Sequence, residues 1–293
     1  AKVIVSLRDK EAKGWQVLGR HLAQEIIDNL NEELFRAIAR NSPAEVIKAV
    51  NAGAIVNAPD RFGHSPMHYA AYKGNPAIVE FLLDRGGDPN TRGRHDSTPL
   101  HSAAWGRNRR TLEVLLENGA DVNARTDEGE TPGMTASLRG EQETLEILLA
   151  LSADPHAKDI HGTSLAELAA AGGHKPIVEL LRQIGVKVDH PLHVAAGLGD
   201  FKTVKEFLDK GKDVNARDGF GATPLLIATV AGHEDMVDFL LERKADPTLP
   251  AKDGYSLMHG AAFSGKKALI RKALSLGIEI NSRYGPEGIT PVD

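Results

Sequence analysis

The stretch TPLHSAA, at residues 98–104, recurs along the chain with small changes. SPMHYAA precedes it by 33 residues, at 65–71, and TPGMTAS follows it by 33, at 131–137. Later copies are HPLHVAA at 190–196 and TPLLIAT at 223–229. Repetition with this period indicates an array of small structural repeats, each too small to bury its apolar face alone.

A second phrase follows each copy of the first. LLDRGGDPN occupies residues 82–90, and LLENGADVN occupies residues 115–123. Together the two phrases resemble the ankyrin repeat over nearly everything after about Asn31. The first position of the leading phrase recurs with spacings of 33, 33, 33, 26, 33, 33 and 34 residues, at Ser65, Thr98, Thr131, Ser164, His190, Thr223, Ser256 and Thr290. The resemblance implies an all-α fold, an ankyrin-repeat solenoid of stacked helix-turn-helix repeats with projecting β-turn fingers.

Local chemistry predicts the same two helices in each repeat. Thr98 is suited to cap a helix, Pro99 fits the first helical position, and His101 can reach back to the cap as Glu or Gln does in a capping box. A second helix shows the i, i+3, i+4 spacing of a buried stripe, as in Ile78, Val79 and Leu82. We interpret the histidines of this motif as helix-start residues rather than ligands or catalytic groups: His68, His101, His193 and His259.

The end of the second helix also follows from residue type. A left-handed residue ends a helix most easily when it is glycine, and we expect this conformation at Gly86, Gly119, Gly185, Gly211 and Gly277. Ser152 and Lys244 replace that glycine, and Asp96 replaces the glycine found at the tip of the extended turn in other repeats. We expect all three to adopt left-handed backbone at some cost.

Composition excludes several classes of function. The 293 residues carry a formal net charge of −5 and no cysteine, so a general nucleic-acid binder, a disulfide scaffold and a cysteine-ligated zinc site are not expected. No apolar run approaches the roughly 20 residues that cross a bilayer, so no membrane insertion is expected. These features favour a soluble, cytoplasmic protein, although the sequence names no compartment.

The repeats predict the domain layout. Residues 1–30 form an N-terminal extension that includes a capping helix, and residues 31–293 form the array. Residues 2–5 alternate like a strand. Residues spaced by four lie on one helical face: Leu18, Leu22, Ile26, Leu30 and Leu34. The predicted repeats are a degenerate 31–61, full repeats at about 62–94, 95–127, 128–160, 161–189, 190–219, 220–252 and 253–286, and an incomplete 287–293.

The repeat at 161–189 departs from the pattern twice. Its first helix begins with SLAE, at 164–167, and about seven residues of the usual finger are absent between Gly185 and His190. We expect the missing finger to leave a notch and to change the curvature or form a hinge. His161, His174, His190 and His193 gather in this region, but we favour structural roles for them over a metal site.

Motifs for catalysis do not occur. SGKK, at 264–267, lacks the hydroxyl and the upstream glycine of a phosphate-binding loop, and there is neither HExxH nor GxSxG. We therefore predict no catalytic residue, no metal and no cofactor. The unfinished final repeat leaves open that the array is a targeting arm of a larger enzyme or effector.

The resemblance places partners on the concave side, formed by inner helices and fingers. One position of each inner helix is expected to point there: Tyr72, Trp105, Leu138, Ala171, Gly197, Val230 and Phe263. Exposed aromatic residues suit interface anchors, although they could equally fill contacts between helices. Arginines cluster nearby and suit acidic groups. The predicted partner-binding residues are Tyr72, Trp105, Leu138, Phe263, Arg92, Arg94, Arg107 and Arg125.

These features predict a non-enzymatic module that binds another protein. The alternative is a polyanion or nucleic-acid segment held by arginine-rich fingers, with Trp105 stacking on a base, but the negative charge makes nucleic acid the weaker option. Self-association through the exposed aromatics stays open. If an asparagine hydroxylase meets the chain, the resemblance implies Asn123 as its substrate.

Overall fold

The computed structural model describes residues 23–283, 285 and 288–291. The predicted strand at 2–5 and the positions of Leu18 and Leu22 lie outside these residues. The described part contains sixteen α-helices, two short 3₁₀ turns and an isolated antiparallel bridge between Lys158 and Ser164. The expected all-α repeat fold is confirmed.

The described residues from 23 to 121 belong to a first compact body. Its described helices are α1 (23–39), α2 (Pro43–Asn51), α3 (Pro66–Lys73), α4 (Pro76–Asp84), α5 (Pro99–Trp105) and α6 (Arg109–Glu117). The short helices α3 and α5 pack side by side, and the outer helices α4 and α6 pack behind them. A short 3₁₀ turn, Arg94–Asp96, forms the tip of the finger before α5.

Residues 122–293 form a second body. Its helices are α7 (Pro132–Arg139), α8 (Gln142–Ala150), α9 (Leu165–Ala171), α10 (Lys175–Gln183), α11 (Pro191–Gly197), α12 (Phe201–Asp209), α13 (Pro224–Val230), α14 (Glu234–Glu242), α15 (Leu257–Phe263) and α16 (Lys267–Ser275). Consecutive inner helices α7, α9, α11, α13 and α15 contact one another, so the apolar stripe of each repeat is covered by its neighbours.

The predicted helix starts are observed, but the start of α11 has no capping box, so His193 does not cap its helix as expected. Nδ1 of His68 accepts a hydrogen bond from the Ser65 N–H at 3.1 Å, which completes a capping box. Thr98 with His101 and Ser256 with His259 repeat this arrangement. The SLAE segment also starts a helix, because the Glu167 carboxylate takes the place of the imidazole and accepts from the Ser164 N–H at 2.7 Å. Glu167 therefore fulfils the predicted role of the histidine.

The ends of the outer helices are also as predicted. Each expected glycine has positive φ, and so do Ser152 at 68°, Lys244 at 69° and Asp96 at 53°. An asparagine four residues beyond such a glycine then joins adjacent repeats. Nδ2 of Asn90 donates to the Gly119 carbonyl at 2.8 Å, and its Oδ1 accepts from the Asp121 N–H at 2.8 Å.

The first helix runs across the predicted boundary at residue 31. Helix α1 is continuous from 23 to 39, so the end of the predicted capping helix and the inner helix of the degenerate repeat are one element. Leu34 is completely buried, whereas Ile26 is 60% exposed. Of the described residues of the predicted stripe, Ile26 therefore lies on the surface and Leu34 lies in the core.

The shortened finger does not leave the expected notch. Seven residues separate α10 from α11, compared with fourteen between α8 and α9, so the deletion itself is as predicted. The gap is closed because the His161 ring packs edge-on against Phe220 of a later finger, with ring centroids 5.3 Å apart. Gly197 lies in the close approach of the inner helices, where a Cβ would stand 2.5 Å from the Ala170 carbonyl oxygen.

Candidate partner-binding face

Two exposed aromatic residues lie next to each other in the first body. Tyr72, in the last turn of α3, is 48% exposed, and Trp105, at the end of α5, is 45% exposed. The backbones meet at this point, since Nδ2 of Asn108 donates to the Tyr72 carbonyl at 2.6 Å. A Cβ on Gly106 would stand 2.4 Å from the same carbonyl oxygen. The backbone segments that carry the two side chains are therefore closely packed, so the backbone positions of Tyr72 and Trp105 are fixed relative to each other.

A cleft of about 640 Å³ opens on the same side of α3. Tyr69 lines it three residues before Tyr72, so both tyrosines occupy one face of the helix. The Phe35 ring contacts Tyr69 edge-on with centroids 5.4 Å apart, and the half-exposed Phe62 lines the finger side. Sequence reasoning missed this cleft. The signal was the 34-residue separation of Phe35 and Tyr69, close to the repeat length.

Hydrogen bonds fix the polar wall of the cleft. The Tyr69 hydroxyl donates to Oδ2 of Asp60 at 2.6 Å, and Oδ1 of Asp60 accepts from the N–H groups of Phe62 and His64. Burial raises the pKa of Asp60, but the hydrogen bonds outweigh this effect and lower it below its ordinary value. Burial and the bond to Asp60 raise the pKa of Tyr69 to about 12. The wall thus consists of a neutral phenol and a carboxylate at neutral pH.

Three of the predicted arginines are exposed in the first body. Arg92 and Arg94 lie on the finger before α5, and Nη1 of Arg92 donates to the Asp96 carbonyl at 2.9 Å. Arg107 follows Trp105 by two residues in left-handed backbone, with φ of 62°. The short sequence separation places Arg107 beside the Trp105 end of the aromatic pair. Arg92 is committed in part to its own finger.

Arg125 belongs to the second body and braces two fingers there. Its Nη1 donates to the carbonyls of Gly129 and Lys158, at 2.9 and 2.8 Å. Arg217 makes the equivalent bonds to Gly221 and Pro250, at 2.6 and 2.7 Å. The recurrence indicates a structural role for this arginine position. The Asn-Ala-Arg sequence that precedes both fingers was the available signal.

Leu138 and Phe263 also lie in the second body, and the fold does not bring them together. Leu138 is partly exposed on α7, and Phe263 is 64% exposed at the end of α15. Helices α9, α11 and α13 lie between them in the stack. Gly197, at the corresponding position of α11, is buried. The predicted row is therefore interrupted within this body.

The histidines near the shortened finger have structural partners. Nε2 of His193 is within hydrogen-bond distance of the carbonyls of Ala216 and Ala222, at 2.9 and 3.1 Å, and Nε2 of His174 bonds the Leu138 carbonyl at 3.0 Å. His190 contacts the Glu167 carboxylate. Within the described residues, no group of three or more His, Cys, Asp or Glu side chains is arranged to hold a metal ion.

Stacked helix pairs with bracing fingers and an exposed aromatic pair define a repeat scaffold that presents a surface. The chain belongs to the ankyrin-repeat family. A family model of three ankyrin repeats matches residues 34–126 and again residues 192–284, which together are more than half of the chain. The unmatched stretch between them includes TPGM at 131–134 and SLAE at 164–167, two inner-helix starts that depart from the TPLH motif.

Curated relatives resemble parts of the chain. A putative ankyrin repeat protein of Rickettsia bellii is 42% identical over 76 residues, which are 26% of this chain and 32% of that protein. The inactive serine/threonine-protein kinase TEX14 of Bos taurus is 38% identical over 86 residues, 29% of this chain and 6% of TEX14. The mouse ankyrin repeat and SAM domain-containing protein 6 is 34% identical over 101 residues, 34% of this chain and 11% of that protein. The chain thus spans a third or less of each relative.

Ankyrin repeats are generally protein-interaction modules, and the fold is typically non-catalytic. The helices of the described part are all too short or too polar to cross a membrane.

Asn123 is the residue implied as a hydroxylase substrate. Its Nδ2 donates to the Ser152 carbonyl at 3.1 Å, and its Oδ1 accepts from the Asp154 N–H. It thus joins two repeats, in the same way as Asn90 does in the first body.

Proposed function

We propose that the chain is a non-enzymatic module that binds another protein through the inner-helix face of its first body. The observation that carries this proposal is the adjacent, exposed pair Tyr72 and Trp105. Tyrosine and tryptophan are the side chains that most often dominate binding energy at interfaces, because they bury much area at low entropic cost. Their exposure on closely packed backbone supports a role as preformed anchors.

The partner surface extends beyond these two anchors. The cleft beside Tyr69 offers room for an apolar side chain of the partner between Phe35 and Phe62. Arg94 and Arg107 supply positive charge near Trp105, so acidic groups of the partner would lie on that side. Arg92 contributes in the same way from its finger. Leu138, Phe263 and Arg125 belong to a separate, secondary surface in this proposal.

The test begins with peptides selected from a random display library for binding to the whole chain, and measures their affinity by calorimetry. Replacing both Tyr72 and Trp105 with alanine removes two anchors, each worth more than about 1 kcal/mol, so the dissociation constant should rise by about tenfold or more. Ile47→Ala is the matched control, because Ile47 is an exposed apolar residue on outer helix α2 of the same body. Unchanged binding by the double variant, with helicity intact, would contradict the proposal.

Salt dependence distinguishes the polyanion alternative. A partner held by an apolar centre should lose little affinity between low and physiological salt, whereas a nucleic acid that releases several counterions loses orders of magnitude. The probe is a fluorescent single-stranded oligonucleotide titrated alongside the selected peptide. Sedimentation of the chain alone shows whether the same aromatic pair instead binds a second copy. In that case the unmodified chain would dimerise, and the double variant would contain a larger fraction of monomer.

A further inference from the structure

The repeat that contains α11 and α12 lacks the asparagine link that joins several other repeats of the chain to the one before. Asp189 stands four residues after Gly185, where Asn90 and Asn123 stand after their own glycines. A carboxylate has no N–H to donate to the carbonyl of the next repeat. Asp189 instead forms an ion pair with Nζ of Lys158 at 2.6 Å. The asparagine link is therefore replaced by an exposed charge pair, which contributes little stability.

The polar contact between inner helices α9 and α11 also differs from that in other repeats. Elsewhere the histidine in the third helical position donates from Nε2 to a carbonyl of the following finger, as His68 does to Ser97 at 3.0 Å. In α9 that position is Glu167, and the finger that would follow is shortened. The Glu167 carboxylate is instead shared: Oε2 accepts from the N–H and hydroxyl of Ser164, and Oε1 contacts Nδ1 of His190 at the start of α11.

Burial makes the contact between Glu167 and His190 important. The Glu167 side chain is 5% exposed, and that of His190 is 31% exposed. A buried carboxylate oxygen that loses its donor keeps its full desolvation penalty. The ring of His193 meets that of His190 edge-on with centroids 5.6 Å apart. This ring contact keeps the His190 imidazole against the Glu167 carboxylate.

Charged and titratable groups surround this pair on each packed element. Lys158 and Asp189 lie on the side of the shortened finger, and Asp218 approaches from the next finger. Burial lowers the pKa of His193 and raises that of Asp218, so both favour their neutral forms more than they do in water. Glu167 therefore has His190 as its direct imidazole partner, with Lys158 as a more distant positive group.

Helix α12 has the fewest buried residues among the described outer helices of the second body. Val204 is its single buried residue, whereas α10 and α14 each bury three. Phe207 and Leu208 pack only partly against the core. Segments with few buried apolar side chains open locally at lower free energy than the rest of a protein. The α11–α12 repeat therefore depends more on its polar contacts than its neighbours do.

We propose that Glu167 and His190 form a latch that holds the α11–α12 repeat against α9, and that this repeat is the segment of the second body that opens when the latch is broken. Opening would uncover Val204 and its partly buried neighbours. This conformational device is independent of the proposed binding face.

Hydrogen exchange of the whole chain, read by mass spectrometry, tests the latch. In the unmodified protein, amides of α12 should exchange about tenfold or more faster than those of α10 and α14. His190→Ala should speed exchange in α11 and α12 by a further factor of about ten or more, as expected for losing a hydrogen bond to a buried charge. His156→Ala is the control, because His156 is an exposed histidine of the same body.

Two further variants keep the test decisive if His190→Ala unfolds the second body. Glu167→Gln preserves shape and should speed the same amides by a smaller factor. Combining it with His190→Ala should cost less than the sum of the two changes, because no charge is then left buried and unpaired. Equal exchange in α10, α12 and α14, a uniform rise across the second body in these variants, or no change in α11 and α12, would each overturn the proposal.

Discussion

Acidification should weaken the first body through His68, whose side chain is buried at the start of α3. The residue is 2% exposed, and burial lowers its pKa from 6.5 to about 4, although the bond to the Ser97 carbonyl acts in the opposite direction. The unfolded chain binds a proton more readily than the folded chain does. Stability is therefore complete above the unfolded pKa and falls as the pH decreases from 6.5 towards 4.

The magnitude follows from the separation of the two pKa values. At pH 5 the unfolded histidine is almost fully protonated and the folded one is not, which costs about 2 kcal/mol of the free energy of unfolding relative to pH 7. Trp105 lies at the end of α5 in this body, and a Trp15→Phe background leaves it as the remaining tryptophan of the chain. Urea unfolding followed by tryptophan fluorescence therefore reports on this body.

The variant His68→Gln isolates the effect. Glutamine is accepted in the third position of a capping box but does not titrate. We expect it to cost about 1 kcal/mol at pH 7 through the lost bond to Ser97, and to reduce the difference between pH 7 and pH 5 by about 2 kcal/mol. An identical loss on acidification in both proteins would refute the assignment of acid sensitivity to His68.

Two further predictions concern the connections between repeats. Ser152→Gly should stabilise the second body by about 1 kcal/mol, because Ser152 holds φ at 68° where glycine is unstrained. Thermal melting by circular dichroism measures the change, and Arg271→Gly, at an exposed position in the middle of α16, should destabilise instead. Asn90→Ala removes bonds to Gly119 and Asp121 and should cost about 2 kcal/mol in urea unfolding of the first body. A loss below a few tenths would show that water replaces both bonds.

Local features of the fold were predictable because they depend on residues within one turn of each other. Thr98, Pro99 and His101 specify a helix start wherever they occur in this order, and Ser152 and Lys244 had to adopt the conformation of the glycine they replace. The same reasoning did not anticipate that Glu167 could substitute for the histidine. Its carboxylate accepts the same backbone N–H, so the helix begins without the usual tetrapeptide.

The candidate binding residues were less predictable, because exposure depends on neighbouring repeats. Tyr72 and Trp105 have the same sequence context as Leu138, yet the structure leaves both aromatics nearly half exposed on adjoining helices. Arg125 was assigned to the predicted binding cluster because it is an arginine near the others in sequence. Its guanidinium group instead donates to two finger carbonyls. Those acceptors lie up to 33 residues away in the chain, beyond the reach of local patterns.

The sequence by itself determined the period, the helix starts and ends, and the assignment to stacked helix pairs, because each repeat carries that information within about thirty residues. Tertiary structure alone decided which surfaces remain open. The cleft beside Tyr69 is lined by Phe35 and Phe62, and the Phe35 ring contacts Tyr69 across 34 positions of the chain. The missing finger leaves no notch because His161 reaches Phe220 across 59 positions of the chain. Both outcomes depend on contacts between residues that lie far apart in the sequence, so local patterns could not predict them.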